Sequence, residues 1–246
     1  MNLRGKRVLV TGGGSGLGAE LAKRFAEEGA SVVIAGRGLA ALRTVEKTHS
    51  SIQAIVADVT DEASVVDLFR KAGRCDIVIA NAGAAVSRPF LQTGIDDWNQ
   101  MIGVNLTGVF LTLREGLRQM PGWGRLIAIS STAGIKGYPH VAPYVAAKHG
   151  VVGLVKALAL EVARQPVTVN ALCPGFLETE MTERFGTQDL ENNSQAEEAA
   201  RSDLVGLNPQ GRLIPPKEVA AAAIWLCGVG SEGVNGQAIA ISGGEI

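Results

Sequence analysis

Tyr144 and Lys148 stand four residues apart in a stretch with helical character, Val145-Ala146-Ala147 and then Val151, Val152 and Leu154. At that spacing both side chains fall on one helical face, and a phenol can meet an ammonium. A tyrosine in water has a pKa of about 10 and is a poor acid–base group at neutral pH, but a neighbouring cation favours the phenolate. A drop of about two units corresponds to about 2.7 kcal/mol of differential stabilisation. Ser131 lies thirteen residues upstream, after the apolar run Leu126 to Ile129, which reads as a buried strand. If that strand and the helix are neighbours, a hydroxyl and a phenol converge on one point, suited to holding a carbonyl or alcohol oxygen. A lone Tyr-x-x-x-Lys is also ordinary helix decoration, so the chemistry depends on the elements that would position it.

Those elements begin with the apolar run Val8-Leu9-Val10, followed by Thr11 to Gly18 (TGGGSGLG) and a helix pattern with Leu21, Ala22, Phe25 and Ala26 on the inner face. Strand, glycine turn and helix together make a cradle for a pyrophosphate: backbone N–H groups and the positive helix end face the turn, and missing side chains permit close approach. Ser31 to Ala35 reads as a second parallel strand. The residue closing it is Gly36 rather than an acid that would bond ribose hydroxyls, and Arg37 follows. An absent carboxylate and a present guanidinium favour a 2′-phosphate and hence NADP over NAD, against the competing reading of Arg37 as a solvated loop residue.

Ile52 to Ala57 forms a third strand ending at Asp58-Val59, where a carboxylate can accept an adenine amino group, and Asp61 to Ala72 an amphipathic helix. Asp76 to Ala80 forms a fourth strand, running straight into Asn81-Ala82-Gly83, small residues where a ligand would cross a parallel sheet. A long helix is expected over Trp98 to Arg118. Asn105 inside it, with Gly108 following, is unfavourable for helix propensity and points to a local kink. Later strands are expected at Pro166 to Leu172 and Gly236 to Ile241, with a helix after Pro215-Pro216.

At 246 residues and 46% hydrophobic content the chain suits one large α/β domain. With 23 basic against 24 acidic side chains, charge gives no argument for a nucleic-acid or membrane partner. The three cysteines, Cys75, Cys173 and Cys227, lack metal-ligand spacing and read as reduced core thiols, which together with the lack of an apolar leader pattern suggests a cytoplasmic protein. No metal site is expected, and His49 and His149 read as surface positions.

In sum the chain resembles the short-chain dehydrogenase/reductase family over its entire length. The resemblance rests on Thr11-Gly12 to Gly18 with its T-G-x-x-x-G-x-G spacing, Asp58, Asn81-Ala82-Gly83, Asn105, Ser131, Tyr144-x-x-x-Lys148, Pro174-Gly175 and Gly243-Gly244. It departs at Ser242, where an acid often precedes the paired glycines. The resemblance implies a single-domain α/β fold, a doubly wound parallel sheet of Rossmann type with helices on both faces. It implies hydride transfer between a nicotinamide and a carbonyl or carbinol carbon. Ser131 and Tyr144 would bind the substrate oxygen, and Tyr144 would pass the proton. Lys148 would depress the tyrosine pKa and bond the nicotinamide ribose, while Asn105 would anchor a water continuing the proton path. The cofactor set would comprise Gly12, Ser15, Gly16, Leu17, Gly18, Arg37, Asp58, Val59, Asn81, Ala82, Gly83, Tyr144, Lys148, Pro174, Gly175, Leu177, Thr179 and Met181, with Thr179 able to double as a helix cap. Homotetramers packed through Trp98–Arg118, Tyr144–Val162 and the final strand are implied as well.

Ser131, Ala133, Tyr138, His140, Tyr144, Phe176 and Phe185 are the expected substrate contacts, with Ala84, Thr132, Val141, Leu177 and Met181 as further lining. The mostly apolar set favours a small or medium uncharged ketone. His140 could orient a carboxylate or thioester, or simply stand at the rim. Residues 178–212, in which Glu178 to Asp203 carry eight acids and two arginines, would cover this pocket and close on ligand binding. A 3-oxoacyl/3-hydroxyacyl or small ketone substrate ranks first. A 3-oxoacyl-[acyl-carrier-protein] reductase ranks lower, because Met120 to Gly124 has no arginine and Arg164 to Pro166 has one, so the arginine-bearing docking surface of such relatives looks depleted here. A cofactor-sensing protein without turnover is the alternative from another class, disfavoured by the intact Ser131, Tyr144 and Lys148. A sugar-nucleotide epimerase is weakened by the missing second domain.

Overall fold

A computed structural model of the chain describes residues 2–120, 122–180, 182 and 201–246. Seven strands form one parallel sheet in the order β3-β2-β1-β4-β5-β6-β7. They are β1 (Arg7–Thr11), β2 (Ser31–Gly36), β3 (Ile52–Val56), β4 (Ile77–Ala80), β5 (Gly124–Ile129), β6 (Val167–Pro174) and β7 (Ala238–Ile241). The central strands are apolar and buried at nearly every position because helices cover both faces of the sheet. The order reverses between β1 and β4, so a crevice opens at the carboxyl ends of these two strands, where the first crossover goes one way and the later ones the other.

One face is closed by α1 (Gly16–Glu27), α2 (Leu39–Glu46) and α7 (Pro216–Leu226), around Leu21, Phe25, Ile34, Ile79 and Val219. The opposite face carries α3 (Glu62–Ala72), α4 (Ile95–Ile102), α5 (Gly108–Arg118) and α6 (Ala142–Glu161), around Phe69, Val78, Leu113, Leu126 and Val155. Each such large apolar side chain contributes roughly 1.5–3 kcal/mol on burial. Helix α1 buries Leu17, Leu21, Ala22, Phe25 and Ala26 along a single stripe, as its sequence period requires. In α3, Asp61 caps the helix by accepting from the Ala63 N–H at 3.0 Å.

Two elements differ from the sequence-based expectation. Leu39–Glu46 is a helix that the pattern did not announce, two turns long with only Leu42 and Val45 buried, too short for a clear period. The expected continuous helix over Trp98 to Arg118 begins at Ile95 and is interrupted by a π turn, Gly103–Thr107, centred on Asn105. The kink foreseen at Asn105 therefore exists and takes the form of one wide turn.

Candidate active site

The glycine turn is held open by contacts that tolerate no side chain. A Cβ on Gly18 would stand 2.1 Å from the Gly12 carbonyl oxygen, and one on Gly12 2.8 Å from the Ala82 Cα, at a backbone φ of +69°. Helix α1 has no acidic residue in its first turn and its cap residue Ser15 makes no side-chain cap bond, so the positive helix end is left for an external anion. β1 is tied to β4 by Thr11, whose hydroxyl accepts from the Asn81 and Ala82 N–H groups at 3.0 and 3.1 Å. Asn81 in turn donates its amide to the Thr11 carbonyl at 2.9 Å.

On the other side of the crevice, Ser131 follows β5, and a short 3-10 turn, Thr132–Gly134, brings the chain back toward α6. Gly134 and Ser130 make the join: the Ser130 hydroxyl donates to the Lys148 carbonyl at 3.0 Å, and a Cβ on Gly134 would be 2.7 Å from that same oxygen. This docking puts the Ser131 hydroxyl on the same side as Tyr144, close enough to act on the phenol by lowering its pKa. Strand β5 and helix α6 are thus the neighbours that the sequence argument required.

Lys148 is buried, and its Nζ donates to the carbonyl of Ile129 at 2.9 Å while standing 5.5 Å from the centre of the Tyr144 ring. Burial pulls the ammonium down to about 8. Tyr144 is partly exposed to the cavity, and burial raises its pKa, opposed by the Ser131 hydroxyl. The expected depression of the phenol by Lys148 is therefore not found in the chain alone. The ammonium donates to the Ile129 carbonyl, and burial is the larger influence on the phenol.

Asn105 is fully buried in the π turn, with its amide donating to the carbonyls of Ala84 and Met101 at 2.9 and 3.1 Å and its oxygen accepting from the Ala84 N–H at 3.2 Å. It fixes the segment after β4. Gly83 separates Asn105 from Lys148: a Cβ there would come 2.9 Å from the Asn105 oxygen and 3.8 Å from Lys148 Nζ.

Between these walls lies a cavity of about 280 Å³ lined by Gly12, Ser15, Gly16, Leu17, Gly18, Asn81, Ala82, Gly83, Asn105, Ser131, Ala133, Tyr138, Tyr144, Lys148, Pro174, Gly175, Phe176, Leu177 and Thr179. The glycine turn, the expected catalytic group and most of the expected pocket share one space. Thr179 lies across the start of α1, its methyl group 3.5 Å from where a Gly16 Cβ would be. The loop before it is pinned by Ile214, which donates to the Phe176 carbonyl and accepts from the Glu178 N–H at 2.9 and 3.0 Å. Anion-ready helix end, side-chain-free turn and acid–base group around one cavity are what a nicotinamide dinucleotide fits.

Arg37, Asp58 and Val59 stand apart from this cavity, at the far ends of β2 and β3. The Asp58 carboxylate accepts from the Thr60 N–H and hydroxyl at 2.9 and 2.7 Å, which with the charge of exposed Arg37 keeps it below the usual range. His140 is exposed, adopts φ +64° in the turn into α6, gives its carbonyl to the Arg88 N–H at 2.7 Å, and does not line the cavity. The expectation of His140 as a substrate contact is corrected on that ground: the residue serves the turn. Met181 and Phe185 lie outside the described residues, as does much of the expected covering segment. Residues that the sequence reading missed include Ser130, Gly134 and Glu245, the last in the turn after β7 with a buried side chain.

Comparison with known proteins agrees with this geometry. The short chain dehydrogenase family model matches residues 6–190. A putative ketoacyl reductase of Streptomyces coelicolor is 37% identical, over 96% of this chain and 95% of its own. A 3beta-hydroxysteroid dehydrogenase 1 of Eggerthella lenta is 38% identical, over 99% and 94%. The crystal structure of an actinorhodin polyketide ketoreductase variant with NADPH superposes with a TM-score of 0.89 at 37% identity, covering 98% of this chain and 97% of that one. With the family model matching residues 6–190 and these relatives covered over nearly their whole length, the chain belongs to the short-chain dehydrogenase family of nicotinamide-dependent oxidoreductases.

Proposed function

We propose that this chain is an NADPH-preferring reductase/dehydrogenase that interconverts a 3-oxoacyl compound or small ketone and its secondary alcohol. The observation that carries the reading is that Ser131, Tyr144 and Lys148 line the same cavity as the glycine turn. When bound, the nicotinamide supplies or takes up the hydride at the substrate carbon. Gly12, Ser15, Gly16, Leu17 and Gly18 would hold the pyrophosphate, Asn81 to Gly83 the middle of the dinucleotide, Pro174, Gly175, Leu177 and Thr179 its nicotinamide end, and Asp58 with Val59 the adenine.

Ser131 and Tyr144 bind the carbonyl oxygen through two hydroxyls, and Tyr144, neutral because burial raises its pKa, donates the proton during reduction. In oxidation the proton returns to Tyr144, and the Ser131 hydroxyl is what stabilises the phenolate. Lys148 holds the floor of the site through Ile129, and Asn105 holds the Ala84 segment; an ordered water on Asn105 would extend the proton path. NADPH preference is supported by Arg37, exposed after β2 with no acid at Gly36. The relatives named above act on ketoacyl and hydroxysteroid compounds and one is solved with NADPH, consistent with an uncharged ketone here.

A carrier-protein substrate ranks lower. Arg125, in β5, is buried and gives its guanidinium to the carbonyls of Leu226 and Gly124, so it presents no charge to a docking partner. Self-association through α4–α5 and α6 is supported by exposed Trp98, Phe110 and Leu160. The test is a panel of 3-oxo esters, thioesters and cyclic ketones followed by loss of NADPH and NADH absorbance. Turnover with NADPH favoured is expected; no turnover of any member with either nucleotide overturns the reading.

A further inference from the structure

The turn after β7 brings a carboxylate behind the substrate wall. The Glu245 side chain is only 3% exposed and pairs with Lys136 at 2.9 Å. It accepts the Tyr138 hydroxyl proton, and its second oxygen lies 3.1 Å from where a Gly175 Cβ would be. Tyr138 is also bonded to the Thr132 hydroxyl at 2.6 Å. Since Tyr138 has one proton and gives it to Glu245, the Thr132 hydroxyl is the donor in that second bond. Two hydroxyls on the cavity wall are thereby turned away from any ligand. Tyr138 offers the cavity its ring, packed edge-on against Phe176 at 5.9 Å between centroids. Burial and the adjacent carboxylate push the phenol above its ordinary range, so it stays a neutral donor to Glu245.

We propose that Glu245 is a specificity-determining positioning residue: it fixes Tyr138 and Thr132 with their protons turned outward and places negative charge behind them, so the pocket selects uncharged ketones, such as esters and thioesters, over free 3-oxo acids. Among the described lining residues Lys148 is the one cation, and it is bonded to Ile129. A substrate carboxylate on the Tyr138 side of the cavity would therefore meet a nearby like charge where the Tyr138 and Thr132 protons are already committed. Lys136 sets the strength of the effect by partly neutralising Glu245, with its ammonium 4.9 Å from the centre of the Tyr138 ring. The inference deepens the ketone reading above and rests on the same cavity.

Binding of methyl acetoacetate and of acetoacetate to the full-length protein, by calorimetry with and without NADP, tests it. The parent protein is expected to favour the ester by about tenfold or more. E245Q keeps an acceptor for Tyr138 but removes the charge, and should narrow that preference by about fivefold. K136M leaves the carboxylate unneutralised and should widen it by a similar factor, while E245D should restore the parental ratio. A merely structural role would weaken both ligands alike, so equal preference in the parent, or the same ratio in E245Q and K136M, overturns the proposal. Turnover of the ester with NADPH is read separately: ester preference without turnover would remove the reductase reading and leave this one in place.

Discussion

The Lys148 ammonium donates to the Ile129 carbonyl at 2.9 Å, so the last residue of β5 fixes α6 through a buried cation. Burial lowers that lysine from 10.5 to about 8. Between these values the unfolded chain holds a proton that the folded chain has released, so the Lys148 contribution to stability rises with pH from about 8 to about 10.5, by up to about 3 kcal/mol. Cys75 and Cys227, pushed up from 9.0 to about 12, act in the opposite sense at the alkaline end of that window. The difference between the parent and K148M isolates the lysine. Denaturant unfolding across this pH range should show the parent gaining on K148M as pH rises; parallel curves would contradict the buried-cation assignment.

Tyr144→Phe removes the only proton the site can pass directly to a substrate oxygen under the proposed mechanism. kcat should fall by about 10³ or more, with NADPH affinity within about threefold of the parent. Residual activity above a few per cent would rule out the assignment. Ser131→Ala should cost about 10² in kcat. It should also shift the alkaline limb of the oxidation profile upward, because the Ser131 hydroxyl is the influence holding the Tyr144 pKa down against burial.

Much of this site is legible in the chain because its parts are local. The turn from Thr11 to Gly18 and the pair Tyr144/Lys148 are set by spacing within single elements, and the strands that carry them are continuous apolar runs. What escapes is what depends on distant contacts. Glu245 is an ordinary charged residue until the turn after β7 folds it behind Tyr138, 107 positions away in the chain. The surroundings of Lys148 are hidden for a related reason: spacing places two side chains on one face but does not say that the ammonium has the Ile129 carbonyl to bond. His140 looked like a pocket residue by proximity to Tyr138, whereas its left-handed backbone turns the chain into α6.

Cofactor choice should depend on one exposed charge. Arg37 follows Gly36 at the end of β2, where no acid competes for ribose hydroxyls. R37A removes a partner for a 2′-phosphate and leaves NAD(H) contacts intact, so the ratio of kcat/KM for NADPH over NADH should drop by about tenfold or more. An unchanged ratio would assign Arg37 to the solvated surface.

Asn105 offers the sharpest separation of roles, since its side-chain bonds go to backbone groups of Ala84 and Met101 and to the Met101 sulfur. N105A leaves the Ala84 N–H and two carbonyls without those partners in a buried place and should cost about 2–3 kcal/mol of stability. N105D keeps the acceptor for the Ala84 N–H but turns a carboxylate toward both carbonyls, so it should destabilise at least as much despite its closer shape. Because the segment so released adjoins Gly83 and Lys148, kcat should fall in both variants by more than KM rises. If thermal unfolding were unchanged in N105A while turnover fell, Asn105 would be acting on the proton path alone and not by holding the wall.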